Sequence, residues 1–168
     1  MPTICISGLS GSGKNAAGEA LARMLGLRTV SFSFKDTARA GGQTLMKVQR
    51  KANASAKMDK ALDAKIARAA ASGDCVVTTW LGPWFVRKAD LRVWLKAGVR
   101  ERAKRIANRD GMGLPNALAH IRKRDADNIR RYKRYYGLDI TDHSRFDLII
   151  DSSRFTPEQI AKIIASAL

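Results

Sequence analysis

Residues 8–14, Gly-Leu-Ser-Gly-Ser-Gly-Lys, fit the pattern G-x-x-x-x-G-K. They lie between an apolar β-branched pentapeptide, TICIS (3–7), and the run GKNAAGEALARMLG (13–26). Few sequence features constrain a fold as tightly. Glycines let the backbone curl so that several N–H groups can point at one anion, and a helix opening there adds the positive end of its dipole. The segment therefore predicts a strand, an anion-holding turn and a helix in direct succession. Gly8, Ser10, Gly11, Ser12, Gly13 and Lys14 are the candidate phosphate-binding residues, with Lys14 able to reach the outer phosphates of a nucleotide.

The next position should carry a hydroxyl that ligates Mg²⁺, and here it is Asn15. Three readings are open. The amide oxygen could bind the metal directly, because magnesium takes oxygen ligands and keeps several waters. It could act through one of those waters, or the loop could hold phosphate with weak catalysis. Asn is also an ordinary helix-start residue.

The remaining chain alternates strand and helix patterns. Ala17, Leu21, Met24 and Leu25 fall on one helical face, and Gly26 is placed to cap it. RTVSF (28–32) reads as a second strand. Residues 34–53 read as helix, with a break at Gly41-Gly42. Met58, Leu62, Ile66 and Ala69 or Ala70 make a stripe on a helix over 57–72. CVVTTW (75–80) is the continuous apolar run of a buried parallel strand, followed by a turn at GPW (82–84) and a strand at 90–97. Two basic helices follow, at 99–110 and from Asn116 to about Tyr135, then a strand in FDLIIDSS (146–153). Thr156-Pro157-Glu158 opens a last helix with an N-cap, a proline at N1 and an acidic first turn. This order predicts a three-layer αβα fold with a five-stranded parallel sheet covered on both faces. No repeat or interdomain linker interrupts it, so residues 1–168 are expected to form a single domain.

Charge is the compositional outlier: 31 Lys plus Arg against 15 Asp plus Glu give +16. Such an excess suits a polyanionic partner, and nucleotides, RNA and phosphorylated metabolites all qualify. No apolar run approaches the roughly 18–20 residues of a membrane span. MPTICIS lacks the basic and apolar regions of a signal peptide. Cys5 and Cys75 lie in apolar strand segments and read as reduced core thiols, which fits a cytoplasmic location.

The chain resembles the nucleoside monophosphate kinases, and more closely the archaeal-type cytidylate (CMP/dCMP) kinases. The likeness runs along nearly the whole chain. It is carried by ADLRVWLKA (89–97), RAKRIANRDG (102–111), RDADNIRRYKRYYGLDITDHSRFDLII (124–150) and TPEQ (156–159), with weaker matches at FKDTARAGGQTL (34–45) and MDKALDAKI (58–66). It implies a P-loop kinase with acceptor-binding helices over about 34–72 and a helical lid over about 105–131. It also implies ATP as donor, Mg²⁺, a nucleoside monophosphate as acceptor, and a monomer. Arg105 and Arg109 match the arginine pair of the first lid helix, and Arg124 and Arg131 those of the returning helix, two turns apart on one face. With Lys14 they would stabilise the transferring phosphoryl group, chemistry that needs positioning and positive charge rather than a nucleophile.

The departures gather on the acceptor side. Phe34-Lys35 stands where the family commonly has Phe-Arg, and Thr78-Thr79-Trp80-Leu81 where it commonly has Glu-Gly-Arg-Leu. Lys35, Asp36, Asp59, Asp63 and Trp80 are the candidate acceptor-binding residues; Asp59 and Asp63 share a helix face, and Trp80 could stack on a base. Trp84 and Trp94 read as core. Two rival readings follow: a P-loop kinase with a different small acceptor, and a weakly catalytic ATP-binding protein associated with RNA. The second lacks a visible RNA-recognition motif.

Overall fold

A computed structural model describes all 168 residues. Five strands, β1 (Thr3–Ser7), β2 (Arg28–Val30), β3 (Cys75–Thr78), β4 (Leu91–Lys96) and β5 (Leu148–Asp151), form one sheet. Their order is β2-β3-β1-β4-β5 and every pair is parallel. The helices are α1 (Lys14–Leu25), α2 (Phe34–Ala40), α3 (Leu45–Ala54), α4 (Lys57–Ala70), α5 (Gly82–Phe85), α6 (Val99–Asp110), α7 (Leu114–Tyr136) and α8 (Pro157–Ala165).

The two-residue period of a strand divides the core between the sheet faces. Ile4 and Ile6 of β1 join Val76, Val93 and Leu95 against Ala17, Leu21, Ile160 and Ile164 of α1 and α8. Cys5 points the other way and joins Cys75, Val77 and Val30 against Ile66 and Ala70 of α4. Both cysteines are buried free thiols. Each fully buried aliphatic side chain contributes about 1.5–3 kcal/mol. Gly18 lets α1 lie close to the sheet, since a Cβ there would overlap Thr78 Cγ2. That contact fixes the helix whose first residue is Lys14.

Several boundaries differ from the sequence reading for local reasons. β3 stops at Thr78, and the Thr79 hydroxyl accepts the Gly82 N–H at 2.9 Å, starting the short helix α5 where a turn was expected. β2 stops at Val30, with Phe32 packed on the α4-side core. Met24 is 44% exposed, so α1's buried stripe is narrower than its apolar letters suggest. α7 begins at Leu114, with Pro115 in its first turn. α6 and α7 form a helical hairpin around Ala103, Ile106, Ala117 and Ile121.

Candidate active site

β1 is the central strand, and its carboxyl end opens into the glycine loop. Open parallel sheets bind ligands beyond the carboxyl ends of their strands. Gly11 has φ 77°, and a Cβ on it would meet the Arg102 carbonyl at 2.6 Å, so both conformation and space call for glycine. The loop is braced from behind by α6 and α7. Arg102 Nη1 donates to Ser10 O at 2.8 Å and to Asp125 Oδ2 at 2.6 Å. Asp125 Oδ1 accepts the Ser10 N–H at 3.1 Å. Both side chains of this ion pair are over nine-tenths buried.

Arg105 belongs to the same brace. Its Nη1 donates to Ser12 O at 3.2 Å and Ser152 Oγ at 3.0 Å, and its Nη2 to Ser152 O at 2.7 Å. Ser152 Oγ also donates to Ser12 O at 2.7 Å. The structure thus places Arg105 behind the loop, tying it to the end of β5. Arg109 lies further out, forked onto Asp110 at 2.8 and 2.7 Å. The same carboxylate takes Lys35 from α2 at 3.3 Å, and the two cations hold it down to about pKa 2. Lys35 and Arg109 therefore meet across the cleft on one carboxylate.

Lys14, Arg124 and Arg131 stand between the loop and the helices beyond it, Arg131 buried and the other two half-buried. Burial and the neighbouring Arg124 push the Lys14 ammonium down to about 7. Its Nζ lies 5.4 Å from the Trp80 ring centre, a cation–π distance. Burial also lowers Arg124, whose Nε is enclosed with no hydrogen-bond partner. The Arg131 Nη2 is likewise enclosed without one, while its Nε lies 2.8 Å from Asp59 Oδ2 and its Nη1 donates to Asn53 Oδ1 at 2.9 Å. Ser10 and Ser12 add two buried hydroxyl oxygens with no partner.

Beside these cations a pocket opens between α2, α4 and α7, lined by Phe34, Asp59, Asp63, Trp80, Arg124 and Arg131 among others. Its floor holds a buried amide pair, Gln49 Nε2 to Asn128 Oδ1 at 2.6 Å. The Tyr136 hydroxyl donates to Asp63 Oδ2 at 2.6 Å. Burial nevertheless raises Asp63 to about 7, against the lowering effect of that bond, and raises Asp59 against the pull of Arg131. Trp80 stands between pocket and loop, with Lys14 on one side and Tyr132 at a centroid distance of 6.2 Å. Asp36 is not part of this wall. Its carboxylate accepts the Ser33 N–H and hydroxyl at 2.9 and 2.7 Å and closes a capping box at the start of α2.

A metal ion has one first-turn candidate, Asn15, exposed at the mouth of the loop. No group of three or more His, Cys, Asp or Glu side chains could hold an ion alone. This set fits Mg²⁺ shared with substrate phosphates and water, as magnesium is ordinarily held.

A sequence profile of the cytidylate kinase-like family matches residues 3–154. The chain belongs to that family. It is 36% identical to the cytidylate kinase of Pyrococcus horikoshii over 167 residues, spanning 98% of this chain and 87% of the relative. The cytidylate kinase of Pyrobaculum aerophilum is 37% identical over 166 residues, or 97% and 90% of the two chains. Among solved structures, shikimate kinase from Acinetobacter baumannii superposes with a TM-score of 0.66 at 17% identity, covering 99% of this chain and 92% of the other. Deoxyadenosine kinase from M. mycoides gives 0.58 at 14% identity, covering 98% and 97%. These two share the P-loop kinase fold.

Sequence reasoning missed Arg102, Asp125, Gln49, Asn128 and Tyr136. A signal existed for two of them. The buried positions Ala117, Ile121, Asp125, Asn128 and Tyr132 form one stripe along α7. A carboxylate and an amide that continue an apolar stripe must have buried partners.

Proposed function

We propose that this member of the cytidylate kinase-like family transfers the γ-phosphoryl group of ATP to cytidine monophosphate, in its ribo or deoxy form. The observation that carries the reading is the set of enclosed, unpartnered donor nitrogens on Arg124 and Arg131, next to a depressed Lys14, between the loop and the pocket. Buried cationic donors left unpaired are costly unless an anion is to be met there. Phosphoryl transfer spreads charge over the equatorial oxygens, and fixed donors stabilise it without reorganising.

In this reading the glycine loop and Lys14 hold the ATP phosphates. Arg124 and Arg131 face the transferring group and the acceptor phosphate. Trp80, Asp59 and Asp63 line the acceptor's seat. Arg109 and Lys35, already joined through Asp110, would turn from that carboxylate to phosphate, so that the substrates replace Asp110 in holding the 105–131 hairpin and the 34–72 helices together and water is excluded. Arg105 acts through the loop it braces. Mg²⁺, when bound, neutralises charge on the β- and γ-phosphates; Asn15 would hold it directly or through a water. The free buried cysteines fit a reducing, cytoplasmic compartment.

Coupled ADP formation across a panel of nucleoside monophosphates tests the reading. CMP or dCMP should stimulate turnover above every other monophosphate, and Lys14→Ala should abolish it. An Asn15→Thr variant that turns over faster at limiting Mg²⁺ would mark the amide as the weaker ligand. Absence of stimulation by any monophosphate would sink the proposal.

A further inference from the structure

A second cavity, of about 130 Å³, lies outside the pocket just described, where the end of α3 meets α7. Asn53, Asp127, Arg130, Arg131, Arg134 and Tyr135 line it. Arg130 and Arg134 are one helical turn apart on α7, so their side chains rise from the same face. Arg130 is 76% exposed, and its only carboxylate neighbour is Asp127 at 3.9 Å. Asp127 is already engaged by Lys123 at 3.1 Å. Arg134 has no carboxylate within ion-pair distance; its guanidinium lies 5.8 Å from the Tyr135 ring centre.

The third arginine is buried. Arg131 is 3% exposed and lines both this cavity and the acceptor pocket. It donates Nη1 to Asn53 in the wall of the outer cavity, and its Nη2 has no partner. The α3 carbonyls that would repel an anion are covered. The Tyr135 hydroxyl sits 2.9 Å from Ala52 O and 3.0 Å from Asn53 O. Two exposed guanidinium groups and the Nη edge of Arg131, whose Nε side is paired with Asp59, therefore line one cavity beside a carboxylate already engaged by Lys123. Guanidinium forks match tetrahedral oxyanions. The cavity is smaller than the roughly 300–1,000 Å³ of a site for a whole drug-sized ligand.

We propose that this cavity is a second anion site, built for one phosphate or diphosphate group rather than a whole nucleotide. It gives part of the chain's positive charge a specific ligand.

The test is calorimetric titration of inorganic phosphate and of pyrophosphate into the full chain, held saturated with ADP and CMP. One residual site per chain is expected. Arg130→Ala/Arg134→Ala should weaken it about tenfold or more, as expected for losing charged hydrogen bonds. Arg87→Ala/Lys88→Ala, on the turn before β4, removes the same charge and should leave the site within about twofold. Equal weakening in both double variants would reduce the effect to net charge and overturn the proposal, as would the absence of a residual site. Circular dichroism of each variant guards against misfolding, and Arg130→Lys/Arg134→Lys, which keeps charge without the fork, should bind in between. The readout is the difference between variants, so it holds whichever acceptor fills the inner pocket. A 5′-phosphorylated oligoribonucleotide compared with its 5′-hydroxyl counterpart identifies the source. Tighter binding of the first, lost in Arg130→Ala/Arg134→Ala, means an RNA end; equal binding of the two means a free anion.

Discussion

The Arg102–Asp125 pair gives the sharpest prediction, because it joins the stability of the chain to the shape of its phosphate loop. The change is Asp125→Asn. The amide keeps the size of the side chain and can still accept the Ser10 N–H. It removes the charge 2.6 Å from Arg102 Nη1, leaving that guanidinium with the Ser10 and Ala97 carbonyls at 2.8 and 3.1 Å. Removing one partner of a buried ion pair costs about 3–5 kcal/mol, because the other charge stays buried without compensation. With a urea m-value of about 2 kcal/mol/M, the unfolding midpoint should fall by roughly 2 M. Equilibrium unfolding followed by tryptophan fluorescence and circular dichroism measures this. Arg102→Met should cost a similar amount. The double change Arg102→Met/Asp125→Asn should cost less than the sum of the two single changes, by about 0.5–3 kcal/mol of coupling. ATP affinity should fall in each single variant, since Ser10 and Gly11 lose their backing. A loss below about 1 kcal/mol for Asp125→Asn, or an additive double variant, would refute the bracing argument.

Two pH dependences follow from the site. Lys14 is held at about 7 in the free protein, and phosphate binds its ammonium form. ATP affinity should therefore fall about tenfold for each pH unit above that value, measured by nucleotide titration between pH 6 and 9; an unchanged affinity between pH 7 and 8.5 would contradict it. Asp63 stands at about 7 when folded against an ordinary 3.8, so the folded state binds its proton more tightly than the unfolded one. Its contribution is present below the unfolded value and is lost as pH rises from about 4 to 7, a slope that Asp63→Asn should remove from denaturation curves. Lys14 adds a slope of the opposite sign above pH 7, so the two windows separate.

The fold was legible because its signals are local. The glycine loop, the alternation of strand and helix patterns, the glycine cap at the end of α1 and the capped start of α8 each lie within a few residues. The interior cations were legible as a set, through resemblance along α6 and α7. Individual assignments were less so, because a side chain's partner is a tertiary fact. Arg105 and Arg109 lie one turn apart on α6, yet one faces the loop carbonyls and the other Asp110. Asp36 looked like an acceptor ligand from its place beside Lys35, but three residues after Ser33 it is also the position that closes a capping box. Asp125 was hidden for the opposite reason. In a strongly basic stretch its carboxylate reads as surface charge balance, and only its place on the buried stripe of α7 marks it as interior.

These placements also give the departures on the acceptor side an electrostatic setting. Where the resembled kinases commonly have an arginine after β3, Trp80 puts an aromatic face toward Lys14 and leaves one positive charge out of a crowded site. Lys14 already titrates near 7 with Arg124 beside it, so another guanidinium at position 80 would push the ammonium lower still. Asp59, buried against Arg131, returns negative charge to the same interior. Replacing Trp80 with Arg would thus restore the family's letter but lower the fraction of Lys14 that carries a proton before ATP arrives. The residues around the loop are adjusted to one another electrostatically. Asn15, exposed at the first turn of α1, stands apart from that crowding and can change without disturbing it.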